Sequence, residues 1–374
     1  KHILMAEIPV KEHGDLTYII NDIRTGGEFK SETFSGYKRA DVKKEFFTAI
    51  FNGKIEHACY WCAELVCSGQ YMEIWEILML YLGKHICNAN PKIAIYLQKR
   101  FQIFRNIMVQ GMFYDEIELR NNKTIRELFT EIIVVLVSNP KKNGFELLKI
   151  NKEDEFDMTK MTDRLKASSA EFALPIVHKK DPKEIFIAIN EFAYNITADE
   201  EHRPNMIQAC YWIEWMIEFD IICKKRKTKC ICERRYDVPV EPKYQTDLIW
   251  VIWDAIFFVS KTADNQFVQS ILTAIRDLFC IKFTSSCAKK RRHLLYFAVS
   301  LFCEPFRTDQ VILPDKGFLQ NTLKQLPNIY KQIKTNEVRP KTDYLFSGLE
   351  DQTNLEKSKQ KLEWMNSIDM FSSG

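Results

Sequence analysis

Apolar residues recur along most of the chain at helical rather than strand spacing. In the run Ile55–Cys67, the positions Ile55, Ala58, Cys59, Cys62, Ala63 and Val66 follow the i, i+3, i+4, i+7 progression. Tyr60, Trp61 and Leu65 make its other side apolar too, and a helix apolar nearly all round belongs at the centre of a domain. Asn52-Gly53 and Ser68-Gly69 close the run at either end. A preceding helix is predicted to start at Arg39–Val42, where Asp41 suits an N-terminal end, and to run through Glu45, Phe46, Phe47 and Ile50. Further helices are predicted at Met72–His85, Ile93–Phe104 and Thr124–Ser138, with Asn90-Pro91 and Asn139-Pro140 as punctuation. The polar opening segment through Ser35, with the turn signal Thr25-Gly26-Gly27, reads as an arm.

The second half echoes the first. Ala58-Cys59-Tyr60-Trp61 recurs 151 residues later as Ala209-Cys210-Tyr211-Trp212, and Met206, Ala209, Cys210, Ile213 and Ile217 repeat the stripe. Upstream, Asp41-Val42-Lys43-Lys44-Glu45-Phe46 is echoed by Asp181-Pro182-Lys183-Glu184-Ile185-Phe186; downstream, Ile74-Trp75-Glu76-Ile77 is echoed by Ile249-Trp250-Val251-Ile252. Echoes that keep their order point to an internal duplication; the alternative is two unrelated buried helices. The expected organisation is all-α: an arm (1–35), a helical domain (36–150), a Lys-, Glu- and Asp-rich linker (151–165), a second helical domain (166–334) carrying a basic insertion (223–243), and a C-terminal tail (335–374). Only 12 Gly and 12 Pro in 374 residues leave little of the turn punctuation that a many-stranded β protein needs.

Charge and cysteines narrow the function classes. With 53 basic and 50 acidic residues the net charge is +3, so attraction to nucleic acid must come from local clustering. The 11 cysteines are odd in number, and Cys59, Cys62, Cys210 and Cys303 fall inside apolar runs, which favours a reducing compartment over a secreted disulfide scaffold. No stretch reaches the roughly 18–20 apolar residues of a membrane span. The nearest, Ile249–Val259, is short and contains Asp254. No membrane association is expected.

Two resemblances follow from specific residues. Ala58-Cys59-Tyr60-Trp61-Cys62-Ala63-Glu64-Leu65-Val66, then Ser68-Gly69, then Asn88-Ala89-Asn90-Pro91, resembles the C-terminal helical, collar-like domain of the clamp-loader-related AAA+ ATPases that maintain stalled replication forks. Asn139-Pro140-Lys141-Lys142-Asn143 echoes a later segment of that domain, and the likeness covers about residues 36–150. The chain departs from that family at an acidic pair, here Lys84-His85, and at a glycine, here Cys87. No G-x-x-x-x-G-K-[S/T] loop occurs, so the resemblance implies a collar without its ATPase, and self-association of that collar. The second half is similar to a conserved protein family of nucleocytoplasmic large DNA viruses. The segments that carry this are Tyr211-Trp212-Ile213-Glu214-Trp215, Cys223–Lys227, Cys230–Arg235 and Lys243–Asp247. That likeness implies a viral factory in the host cytoplasm, or a virion, and brings no activity or catalytic residue with it.

The strongest candidate site is the basic insertion. Lys224, Lys225, Arg226, Lys227, Lys229, Arg234 and Arg235 put seven cations within twelve residues, enough to neutralise several phosphates. The alternatives are docking on an acidic partner and a solvated loop. A second cluster, Lys289-Lys290-Arg291-Arg292 before the apolar run Leu294–Phe302, opposes the helix dipole, so stability alone explains it poorly. Cys223, Cys230 and Cys232, with Cys210 or His202, are weak zinc candidates, because C-x6-C-x-C departs from structural-zinc spacing. The nearby cations are expected to lower their thiol pKa values. Cys59-x-x-Cys62 lies on a core stripe. Glu64, Glu214 and Asp254 are acids within apolar helices, without partners visible in the sequence, and no catalytic motif appears. In the tail, Tyr344, Phe346 and Trp364 either pack back on the domains or dock a partner.

Together these readings predict a non-enzymatic scaffold or adaptor. It would serve as a nucleic-acid-associated replication, transcription or genome-processing factor, with no resident cofactor, that meets other viral proteins. The alternatives are a structural virion component and an enzyme whose site is assembled from scattered residues.

Overall fold

The computed structural model describes residues 16–338, apart from 112–114, 143–144, 147, 151–155, 157–161, 199–201 and 229. Most of the linker, Lys229, and Tyr344, Phe346 and Trp364 of the tail therefore lie outside the described residues. The architecture is all-α, and β pairing among the described residues is confined to two isolated bridges, Glu32 with Lys38 and Ile231 with Asp247.

In the first half α1 (Arg39–Phe51), α2 (Ile55–Cys67) and α3 (Tyr71–Tyr81) follow one another through tight turns. Gly53 (φ 73°) and Gly69 (φ 67°) adopt the left-handed conformation those turns need, which explains both glycine stops. Next come α4 (Lys92–Gln110), α5 (Glu116–Arg120) and α6 (Lys123–Ser138). The second half comprises α7 (Phe186–Ile196), α8 (Met206–Lys225), α9 (Ile249–Thr262), α10 (Gln266–Phe279), α11 (Cys287–Lys290), α12 (Arg292–Cys303) and α13 (Lys316–Lys334). Side-chain caps begin several of these: Asn122, Asn205, Asn265 and Asp315 each accept a hydrogen bond from the backbone N–H three residues on.

The predicted helix over 72–85 is helical throughout but changes type part-way. After Tyr81 the chain widens into a π turn at Leu82–Ile86, followed by a 3-10 turn at Cys87–Ala89. The reason is packing: a Cβ on Gly83 would sit 2.6 Å from the carbonyl oxygen of His293, so α12 lies directly on this turn. Around it, His85 stacks near Phe47 and Phe51, and His293 near Tyr296.

Helix contacts run in the same succession through both halves. α2 packs on α1, α3 and α6, and α4 packs on α6; correspondingly α8 packs on α7, α9 and α12, and α10 packs on α12. The halves meet where α4 lies against α10 and α12 lies against the π turn. The motif asparagines sit in this seam. Buried Asn88 donates to the Ser300 carbonyl at 2.9 Å, and Asn90 and Asn139 donate to the Val311 and Ile312 carbonyls at 3.1 and 2.8 Å. One continuous apolar core runs from Ile20 to Ile333.

Two expectations change here. The part of the arm that is described is docked, with Ile20, Phe29 and Phe34 buried and Asn121 exchanging two hydrogen bonds with the Ile20 backbone. Helix α13, assigned to the second domain, packs instead on α2 and α6 of the first. Its apolar stripe through Leu326, Tyr330 and Ile333 needs a face to cover, and the Arg126 guanidinium lies 3.8 Å from the centre of the Tyr330 ring.

The seam also sets a pH dependence. Burial, followed by the charge of Lys84, pushes both His85 and His293 down to about 4 from an ordinary 6.5. Between those values the unfolded chain binds protons that the folded chain refuses, so stability is full above pH 6.5 and falls as pH drops toward 4. Urea midpoints should therefore be lower at pH 5 than at pH 7. A His85→Gln/His293→Gln variant should show a flatter dependence; an unchanged slope would assign it to other groups.

Candidate nucleic-acid interface

Helix α8 connects the core to the basic surface. Its first turns carry the buried Ala209, Cys210, Tyr211 and Trp212, and its last turn emerges as Lys224 and Lys225, where cations complement the helix dipole. Arg226 ends the helix, and Lys227 turns the chain in a left-handed conformation (φ 58°), closed by Thr228 N–H donating to the Cys223 carbonyl at 3.0 Å. Lys224, Lys225, Arg226 and Lys227 are all exposed.

The rest of the insertion divides differently. Residues 231–235 run beside 245–247, with Cys232 N–H donating to the Thr246 carbonyl at 2.9 Å and Arg235 N–H to the Gln245 carbonyl at 3.0 Å. This register turns Arg235 inward, where it is 3 % exposed. Its guanidinium grips Asp181 through two bonds of 2.6 and 2.7 Å and reaches Asp254 at 2.8 Å. Burial would raise the Asp181 carboxyl, but Arg235 and two backbone N–H groups outweigh it and hold the carboxyl below its usual range. Arg235 is thus a structural ion-pair residue and is unavailable to phosphate. Arg234 is half-buried, donates to Gln245 at 2.6 Å and stacks on the exposed Tyr236.

The second cluster divides in the same way. Arg291 and Arg292 are buried: Arg291 donates to Glu76 of the first half and to the Phe279 carbonyl, and Arg292 donates to Glu214 at 2.6 Å. Glu214 also accepts from Tyr296 Oη at 2.6 Å; burial pushes its carboxyl up, against the pull of Tyr296 and Arg292. These pairs, rather than phosphate, account for cations at an unfavourable helix end. Lys289 and Lys290 remain on the surface.

The folded chain brings the exposed remainders of both clusters to one end of α8. Lys289 bonds Glu218 at 2.9 Å, and Lys224 pairs with Asp220 half a turn further along. Beneath them Ser285 donates to Asp247 at 2.7 Å, and the charge of Lys224 acts on that same carboxylate. Lys225, Arg226, Lys227 and Lys290 have no ion-pair partner among the described residues. Lys225, Arg226 and Lys227 at the end of α8, and Lys290 at the end of α11, whose neighbour Lys289 reaches Glu218 of α8, are exposed, uncompensated cations that can meet phosphates or carboxylates.

The cysteines behave otherwise than expected. The Cys232 thiol, held protonated as a hydrogen-bond donor to Cys230 and by burial, is pushed up, and burial raises Cys223 despite the nearby cations. Cys210 is buried more than three turns earlier on the same helix, roughly 20 Å away at 1.5 Å per residue. His202 stacks on Tyr194. No group of three or more His, Cys, Asp or Glu side chains suited to a metal occurs among the described residues. All 11 cysteines are free thiols.

The acids with no partner visible in the sequence have structural ones: Ser35 for Glu64, Arg292 and Tyr296 for Glu214, and Arg235 for Asp254. The role of Asp181 escaped sequence reasoning; only its place in the repeat echo marked it. No helix among the described residues is long and apolar enough to cross a membrane. No protein-family model matches the chain, and neither the curated proteins nor the solved structures yielded a significant match.

Proposed function

We propose that the chain is a non-enzymatic helical scaffold that engages nucleic acid through Lys225, Arg226, Lys227 and Lys290. It would act as a replication, transcription or genome-processing factor of a large DNA virus. The observation that carries the reading is the meeting of two sequence-distant basic clusters at the end of α8, with four cations left uncompensated. The viral setting rests on the resemblance in the second half alone. The relatedness of the two halves is supported by the recurring Ala-Cys-Tyr-Trp motif and by the matching succession of helix contacts, while the likeness to a clamp-loader collar rests on the sequence resemblance over residues 36–150 alone.

Four phosphate contacts on duplex DNA predict that log K falls against log salt with a slope of about −3 to −4. Fluorescence anisotropy of labelled single- and double-stranded DNA and RNA, from low to moderate salt, reads this directly. Absence of binding to every probe at low salt would overturn the proposal.

A second reading, a structural virion component, is favoured by a different surface. Tyr37, Tyr60 and Trp61 stack edge to face along an open cleft of about 560 Å³ beside α13, lined further by Gln325, Asn328 and Gln332. Such aromatic and amide surfaces suit protein partners. Stoichiometric presence in purified particles, without DNA affinity, would support it.

A further inference from the structure

A large cavity lies away from the cationic surface, lined entirely by residues within 169–306. It is bounded by the end of α7, the α9–α10 turn, the end of α12 and the 169–175 loop, and encloses about 690 Å³. Phe172, Phe258, Phe302 and Phe306 supply much of its wall. Among them sits Ser260 of α9, 1 % exposed, whose hydroxyl has no hydrogen-bond partner. Its carbonyl, by contrast, accepts from Gln269 at 3.2 Å. A buried hydroxyl without a partner is disfavoured, so such a group beside a largely apolar cavity is a candidate contact for a ligand atom.

The lining also sets the ligand's charge. Among the described residues no Lys, Arg or His lines the cavity, whereas Glu171 does. A carboxylate or phosphate head would lose its hydration there, gain no cation and meet a like charge.

We propose that this cavity binds a neutral, mainly apolar small molecule carrying one hydroxyl or carbonyl group, which hydrogen-bonds the Ser260 hydroxyl while its apolar body packs on the phenylalanines. The volume falls within the range of roughly 300–1,000 Å³ that small-molecule sites occupy. Nothing in this assignment depends on nucleic-acid binding.

The test uses the full chain with 1-decanol and decanoate at pH 7, followed by ligand-observed NMR and thermal shift. Decanol should bind and raise the melting temperature, and decanoate should bind markedly more weakly. Ser260→Ala should weaken decanol binding roughly 3–10-fold, the loss of one hydrogen bond. The free protein's melting temperature should stay unchanged or rise, because an unsatisfied polar group has been removed. Ala263→Trp, at an exposed position on the rim, should block binding while leaving the fold intact. The proposal is overturned if decanol fails to bind, if both variants bind it like the wild type, or if decanoate binds equally well.

Discussion

Replacing Arg235 by alanine lowers stability by about 3–5 kcal/mol, the range expected when one partner of a buried ion pair is removed. The Arg235 and Asp181 side chains are 2 % and 0 % exposed, so the substitution strands a carboxylate that has no water to turn to. Asp254 loses its partner as well. Arg235→Lys should restore only part of the loss, since an ammonium cannot reproduce the two-pronged grip on Asp181 while also reaching Asp254. Urea unfolding followed by circular dichroism measures both variants. A change below 0.5 kcal/mol in Arg235→Ala would mean that the pair contributes little, and would return Arg235 to the candidate phosphate contacts.

Gly83→Ala is the second large effect, and its sign is informative. Helix propensity alone favours alanine over glycine by about 1 kcal/mol. In the folded chain, however, the new methyl would lie 2.6 Å from the His293 carbonyl oxygen and 3.0 Å from the Leu294 nitrogen, both backbone atoms of α12. Neither can swing aside, so the seam must open. The expected outcome is a net loss of about 2 kcal/mol, within the range for overpacking. Gly83→Val should lose more. A rise in stability for Gly83→Ala would show that α12 does not press on the π turn.

The helical plan was legible because burial in α1 and α2 writes a 3.6-residue period into the sequence, whereas α8, buried at every position from 209 to 218, was legible from its apolar run and from the motif it shares with α2. The Ile55–Cys67 boundaries coincide with α2, and of its stripe and the Trp of each downstream echo, Ala58, Cys59, Cys62, Ala63, Val66, Trp75 and Trp250 are buried while Ile55 is partly so. The same rule would have found α10, whose Val268, Ile271, Leu272, Ile275 and Leu278 are buried at helical spacing. Periodicity says which face is covered but not by what. The return of α13 onto α2 and α6, and the packing of α12 on Gly83, depend on partners that local pattern does not reach, such as His293 for Gly83.

The site was legible only as a region. Lys225 and Arg235 look alike in sequence, ten residues apart in one basic run, yet one is solvated and the other buried. What separates them is Asp181, 54 residues earlier, which local pattern does not connect to the run. The same holds for Arg291 with Glu76 and Arg292 with Glu214. A cation count alone does not give the free surface: of the ten described candidates in the two clusters, long-range ion pairs take Arg235, Lys289, Arg291 and Arg292, the local pair with Asp220 takes Lys224 and Gln245 takes Arg234, which leaves the four that remain uncompensated.

The central claim is that those four cations form one surface. Anisotropy titrations of labelled DNA across a salt series, comparing the wild type with a Lys225→Gln/Arg226→Gln/Lys227→Gln/Lys290→Gln variant, test it most directly. The account predicts that the variant loses salt-sensitive binding while its urea midpoint stays near that of the wild type, since exposed substitutions usually shift stability by no more than about 0.5 kcal/mol each. A variant that binds with the wild-type affinity and salt slope would contradict it.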